Sequence, residues 1–299
     1  MTSTVWSQCV QGAETLDFTR EARFSDNRKA AVLSAAGLMP GMRVLEVGCG
    51  PGALCRKLAQ WLSGESHVTG LDRDTGFVRH ARARASQLRL SNVRFIEGDA
   101  LSLPFDEGAF DACLSHTVLE HVPHLAFLEE QRRVCRVGGH VAVFQIMPEA
   151  GVRTHSPSLP GLTPEETELR KPIDEASQRN DRARGIAAYP VSAADLPFLF
   201  ERAGLQQVRV DAIAFPVAID NADLSGVERE AIVRSEEALA RESLEIGLRQ
   251  ADTPLPPQQE RRLRELTESR LAARRAALAG GQRFWQYSVT LALAASGIK

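Results

Sequence analysis

The chain has 299 residues, 43% hydrophobic and 25% charged, with a formal net charge of -2; that is enough apolar material for one large domain, or for a domain with a cap. A near-neutral balance excludes the basic surface that nucleic-acid binding normally requires, and no nucleic-acid partner is expected. The N-terminus lacks the basic and apolar regions of a signal peptide, no apolar run approaches about 20 residues, and the five scattered cysteines form no Cys-x-x-Cys pair, so the expectation is a reduced, cytoplasmic chain without a membrane partner.

In chain order, Thr19 to Phe24 and Asn27 to Ala36 have helical patterning, stopped by Gly37 and Pro40-Gly41. Residues 1–40 thus read as an N-terminal helical segment. Next, Val44-Leu45-Glu46-Val47 runs into Gly48-Cys49-Gly50-Pro51-Gly52, and Ala53 to Ala59 opens a helix. A buried parallel strand, a glycine loop and a helix make a nucleotide cradle, because glycine takes dihedrals that a Cβ forbids and lets a ligand approach the main chain. Dinucleotide loops follow Gly-x-Gly-x-x-Gly around a pyrophosphate. Here the spacing is Gly48-x-Gly50-x-Gly52, with Glu46 two residues upstream, where a carboxylate repels phosphate and suits a cationic ligand. Cys49 has no assignable partner base and reads as a small residue tolerated in the tight loop.

This Glu46-x-Gly48-x-Gly50-x-Gly52 run resembles motif I of the class I S-adenosylmethionine-dependent methyltransferases, of the small-molecule, methyltransferase type 11-like kind, whose cofactor carries an ammonium and a sulfonium and no phosphate. The resemblance implies cofactor binding by Glu46, Gly48, Cys49, Gly50 and Gly52. In that family such leading helices often close over the cofactor, which would bring Phe18, Arg23 and Phe24 to the pocket; simple packing of these helices against the sheet is the other reading.

The strand His67 to Leu71 ends in Asp72, placed to accept both hydroxyls of a ribose beside the first loop. Arg73 lies against the adenine edge or in solvent. Phe77 to Leu88 is a helix whose arginines, with Arg89, form a solvated face. A third strand begins at Val93 and ends in Gly98-Asp99-Ala100, and the resemblance makes Asp99 the acceptor for the adenine amino group, with the Ala100 N–H at the ring. After a turn, Phe110 to His116 is a fourth strand, whose Phe-Asp-x-x-x-Ser pattern again resembles the family. That places Ser115 against the methionine part of the cofactor and makes His116 the candidate catalytic base, since a histidine titrates near neutrality, or else a wall of the cofactor pocket. Leu119-Glu120-His121-Val122 resembles a common structural turn of the family. The spacing of His116, His121 and His124 fits no regular metal-ligand pattern, so no metal is expected. Phe127 to Val137 reads as a helix closed by Gly138-Gly139, leading into the strand His140 to Ile146.

The second half departs from a minimal fold. Residues 148–190, rich in prolines, read as an irregular lid with one or two short helices. Residues 191–216 continue the core with a helix from Ser192 to Ala203 and a strand from Gln207 to Phe215, and 284–299 supply the last strand. Between them, 217–283 reads as a helical hairpin (Asp223 to Leu248, Gln258 to Leu278) in which Leu224, Val227, Ile232, Val233, Leu239, Leu244 and Leu248 need packing partners. It is a substrate cap or a homodimer surface.

The expected fold is thus α/β: a Rossmann-like, doubly wound sheet of seven strands, mostly parallel with the last antiparallel, a core at 41–147, and a helical lid and insertion. The resemblance implies an enzyme that moves a methyl group from S-adenosylmethionine to a small-molecule acceptor by in-line displacement, leaving S-adenosylhomocysteine. A protein that binds the cofactor without methylating, in a cyclase-like or regulatory role, is the alternative. A nucleic-acid methyltransferase is disfavoured, since no Asn/Asp-Pro-Pro-Tyr motif follows Leu114.

Overall fold

The sheet grows outward from β1 (Arg43–Val47), in which every residue after Arg43 is buried, as a central parallel strand must be. The computed structural model describes residues 6–154 and 156–299; the part of the expected N-terminal segment at 1–5 lies outside the described residues. β2 (His67–Asp72) and β4 (Phe110–His116) flank β1 in parallel, with β3 (Val93–Glu97) outside β2 and β5 (Cys135–Ile146) outside β4. β8 (Tyr287–Ile298) runs antiparallel to β5 and also to β7 (Gln206–Ala218) on its other side. The two-residue β6 (Val152–Arg153) pairs with β8 at Val289 and Ser288, extending the track that β5 leaves at Ala292. Among the described residues the sheet therefore has eight strands, one more than the expected seven.

Side-chain alternation along β1 divides the core into two layers. Val44 belongs to a cluster with Leu54, Leu58, Val78 and Phe24. Leu45 and Val47 belong to a second, with Phe127, Leu128 and Phe200. The first layer carries α2 (Ala13–Arg23), α3 (Lys29–Ala35), α4 (Ala53–Trp61) and α5 (Thr75–Gln87), with the short α1 (Trp6–Cys9) ahead of them; the second carries α6 (His124–Val134) and α8 (Leu196–Arg202). Burying a large aliphatic side chain on both faces at about 2 kcal/mol each fixes the register of the central strands.

Two local expectations change. The helix expected to reach Val137 ends at Val134, and β5 begins at Cys135 with a register shift opposite Phe110/Ala112. Gly139 permits it: a Cβ there would lie 2.6 Å from the Asp111 carbonyl oxygen and 2.6 Å from Cys135 Sγ. The irregular lid holds α7 (Pro164–Ala183), a twenty-residue helix with Pro172 inside it. Thr163 Oγ1 accepts from the Glu166 N–H to cap its start, and Pro164 at the first position fits the asymmetry of helix ends. An interior proline costs about 3 kcal/mol. Tertiary packing offsets that cost, because Ile173 and Ala176 are buried and Glu166 accepts from Arg270 at 3.0 Å and from Thr267 Oγ1 at 3.0 Å.

The insertion is a helical hairpin, α9 (Gly226–Gln250) and α10 (Pro257–Ala279), with Ser225 and Glu228 forming a capping box at the start of α9. With α7 it shares a small core of Ile173, Leu244 and Leu263. Val233 and Leu244 find packing partners, whereas Val227 is 82% exposed. The inner face of α9 lies along α1 and α2, which brings the insertion to the cover of the first-layer crevice.

Candidate active site

A cavity of about 420 Å³ opens at the C-terminal ends of β1, β2, β3 and β4, the end of an open α/β sheet where ligands sit. Its floor is the glycine loop. The Gly48 and Cys49 N–H groups both donate to the Leu71 carbonyl, at 2.7 and 3.0 Å, fastening the loop to β2. Gly48 has φ +73° and its missing Cβ would run into the Val118 side chain; Gly50 has φ +53° and faces Leu16. Both line the cavity with Cys49 between them, so backbone is presented where side chains would fill the space. Gly52 does not line it. With φ +84° it is the N-cap of α4, and its absent Cβ leaves room for Phe95 and Ala81.

Three acids converge on this floor. Glu46, on the Val44 face of β1, accepts from Cys55 Sγ–H at 2.8 Å, and burial pushes its carboxyl up to about 8. Asp72 accepts the Gly50 N–H and the Asp74 N–H, each at 2.8 Å; burial raises it to about 6 against the pull of those two donors. A carboxylate has about four lone-pair sites, so Asp72 keeps acceptor capacity toward the cavity. Asp99 accepts the Leu101 N–H at 2.9 Å through one oxygen only. The Ala100 N–H beside it makes no hydrogen bond among the described residues. Acceptor and donor side by side match the amino group and ring nitrogen of an adenine edge. Arg73 lines the same wall, exposed at its outer side.

The roof is α1, α2 and the turn after β4. Arg56 on α4, 2% exposed, donates to Asp17 at 2.5 Å, to Glu21 at 2.8 Å and to the Pro51 carbonyl at 2.7 Å, clamping α2 and the glycine loop to one side chain. A buried pair of this kind needs all its hydrogen bonds to offset desolvation. α2 then presents Leu16 and Arg20, and its C-cap Phe24, to the cavity, residues spaced four apart and so on one stripe. Arg20 donates to Thr117 Oγ1 at 3.1 Å and forms no ion pair among the described residues. Burial, with the nearby Arg23 cation, lowers its guanidinium to about 9. Thr117 has φ +54°, a strained conformation for a β-branched residue at the mouth of the site.

His116 lines the cavity from the same face of the sheet as Glu46. Its Nε2 lies 3.1 Å from Arg23 Nη1; arginine only donates, so Nε2 accepts and Nδ1 carries the hydrogen. Burial, then the Arg20 and Arg23 cations, hold it well below the usual histidine range. The imidazole is neutral and its lone pair engaged. Ser115 points to the opposite layer, fully buried with its Oγ unpaired, and does not reach the cavity. Phe18 is also outside, 40% exposed, whereas Phe24 is inside and Arg23 stands behind His116. Among the described residues no three His, Cys, Asp or Glu side chains are grouped to hold a metal ion, and no helix is long and apolar enough to cross a membrane.

Arg20, Thr117, Trp6, Leu16 and Tyr189 are cavity residues that motif reading missed. For two of them a signal existed: Leu16, Arg20 and Phe24 repeat at four-residue spacing. Trp6, Thr117 and Tyr189 come from segments without periodicity.

A family model described as a methyltransferase domain matches residues 44–139. Sterol 24-C-methyltransferase ERG6B of Gibberella zeae is 36% identical over 111 residues, 36% of this chain and 29% of that protein. Demethylmenaquinone methyltransferase of Listeria monocytogenes is 33% identical over 122 residues, 40% of this chain and 48% of that one. The matched regions thus span about a third to a half of the curated relatives. Among solved structures, phosphoethanolamine N-methyltransferase 2 of Haemonchus contortus bound to S-adenosyl-L-methionine superposes with a TM-score of 0.54 at 17% identity, covering 100% of this chain and 60% of that one. The YcgJ protein of Bacillus subtilis gives 0.50 at 18% identity, covering 92% and 99%. At such identities the likeness is one of fold. The segment from β1 to the glycine pair of β5 matches a methyltransferase domain, and the fold built around it is shared with solved methyltransferase structures.

Proposed function

We propose that the protein transfers a methyl group from S-adenosylmethionine to a small-molecule acceptor. The observation that carries this reading is the convergence of Glu46, Asp72 and the Asp99–Ala100 pair, from the tips of three adjacent strands, on one cavity over a glycine loop. Asp99 and the Ala100 N–H would hold the adenine edge, and Asp72 the ribose hydroxyls. Glu46 and Arg20, opposite charges facing one space, suit the ammonium and carboxylate of an amino-acid end. When bound, the cofactor supplies a methyl group activated by its sulfonium.

The protein's task is then to orient and to exclude water. α2 covers the cavity, and Val118, Val122 and Pro123 give the mouth an apolar wall. The acceptors named for the two sequence relatives, a sterol and demethylmenaquinone, are small molecules, which supports the same class here. Of the two readings of His116, catalytic base or wall of the pocket, we assign it to the wall, because its Nε2 accepts from Arg23 and holds that side chain while the methyl and its acceptor align. The packing of α9 on α1 and α2 supports the cap reading of the insertion over a homodimer surface.

Titration calorimetry with S-adenosylmethionine and S-adenosylhomocysteine tests the first half of the proposal. Binding is expected in the wild type, with Asp99→Ala and Asp72→Ala each weakening it about tenfold, the cost of about 1.4 kcal/mol of lost hydrogen bonding. Release of S-adenosylhomocysteine in a screen of apolar and aromatic acceptors tests the second half. A wild-type protein that binds neither cofactor form defeats the reading.

A further inference from the structure

The roof helix α2 and its C-cap Phe24 give the cavity three side chains, yet the helix N-terminus has no cap from its own sequence: the N-cap residue is Gly12, which has no side chain to offer. The acceptor comes from 230 residues away. Glu242, in the middle of α9, accepts the Gly12 N–H at 3.0 Å through Oε1 and the Thr15 hydroxyl through Oε2. Thr15 Oγ1 also lies 3.1 Å from the Gly12 carbonyl oxygen, which shares the single hydroxyl hydrogen with Glu242, so one carboxylate ties the N-cap of α2 to the side chain three residues on. The absent side chain at Gly12 leaves the space that Glu242 Oε1 occupies, so a Cβ there would displace the carboxylate from this position. A second contact from α9, Gln250 to the Cys9 carbonyl, fixes the chain just before it.

We propose that Glu242 is a positioning residue for the active site, through which the helical insertion sets the height and order of the α2 roof and hence the affinity for the cofactor. This rests on the reading of the cavity as a cofactor site. An acid at a helix N-terminus accepts otherwise orphaned donors and opposes the positive end of the helix dipole. α2 is fastened further along by Asp17 and Glu21 on Arg56 and by Arg20 on Thr117. Those contacts belong to the core itself. The Glu242 clasp joins the N-terminus of α2 to a helical unit that has its own Ile173–Leu244–Leu263 core, as Gln250 joins that unit to α1. Losing it leaves Arg20 and Leu16 on a helix whose first turn frays, and the cofactor must then order that turn when it binds.

The test compares wild type, Glu242→Ala and Glu242→Gln by calorimetry with S-adenosylhomocysteine and by hydrogen exchange. Removing a helix cap costs enough to weaken binding about tenfold in Glu242→Ala. Faster exchange is expected at residues 12–20 with the β1 and β4 amides unchanged. Glu242→Gln keeps an acceptor for the Gly12 N–H without the charge, and is expected to recover part of the loss. Thr15→Val, which removes one arm of the clasp without touching α9, should weaken binding in the same direction, and it decides the matter if Glu242→Ala does not fold. If Glu242→Ala, or failing that Thr15→Val, binds with wild-type affinity, or if exchange rises over the insertion alone, the proposal is overturned. A wild type that binds no cofactor would instead defeat the functional reading and leave the exchange measurement to judge the clasp.

Discussion

Glu46 sits where the strand period and the loop conflict: the residue before the turn must face the buried layer of Val44, and the ligand it is suited to hold is a cation. In the free protein the conflict is resolved by a proton, since burial raises the carboxyl from 4.5 to about 8. The sign of the linkage follows. An acid whose folded value is raised disfavours the folded state as pH climbs from its unfolded value, about 4.3, toward the folded one, and a ligand ammonium lowers it again by favouring the carboxylate. Cofactor binding below pH 8 should therefore release a proton and strengthen as pH rises from about 5.5 to 7.5, up to about tenfold per unit. Calorimetry in buffers of different ionisation heat measures the released proton directly. In Glu46→Gln this part of the slope should vanish, leaving the smaller one from Asp72, raised to about 6. An unchanged slope would remove Glu46 from the ammonium contact.

At the scale of elements, the strand–loop–helix unit of β1 and α4 shows what sequence can display. Its apolar run and glycines at every second position are local, and local rules govern them. Gly52 is demanded by packing as well as by backbone: Ala there would take φ +84° with its Cβ 2.6 Å from Phe95 and 2.8 Å from Ala81. Gly41, with φ +87° and nothing within 4 Å, carries the same backbone demand without the packing one. Urea denaturation should show Gly41→Ala costing about 1–2 kcal/mol and Gly52→Ala about 2–4 kcal/mol; equal losses would refute the packing argument. What sequence did not display is non-local. Arg56 and Asp17, 39 residues apart, show no shared pattern. Ser115 and His116 looked equivalent as neighbours at a strand end, but alternation sends one into each layer. In α7 the prolines read as breaks, because the buried Ile173 and the Glu166–Arg270 contact that hold the helix come from packing against distant segments.

At the scale of the molecule, the site joins parts that pack separately: the sheet layers supply the floor, α1 and α2 the roof, and the insertion holds the roof. A ligand gripping floor and roof together binds the folded chain and not the unfolded one, so its binding energy becomes stability. At a free concentration 100 times its dissociation constant it adds about 2.7 kcal/mol. For a chain of this length, each kcal/mol moves the melting temperature by about 2 °C, so S-adenosylhomocysteine should raise it by about 5 °C. ATP and NAD provide the contrast. Both offer an adenine edge to Asp99 and Ala100 and a ribose to Asp72, but both would set phosphate against Glu46, so above pH 8, where that carboxyl is ionised, neither should shift the melt appreciably at equal concentration. If all three ligands stabilise alike, the cavity selects for adenosine alone, and the charge logic of the glycine loop does not discriminate between a sulfonium amino acid and a phosphate.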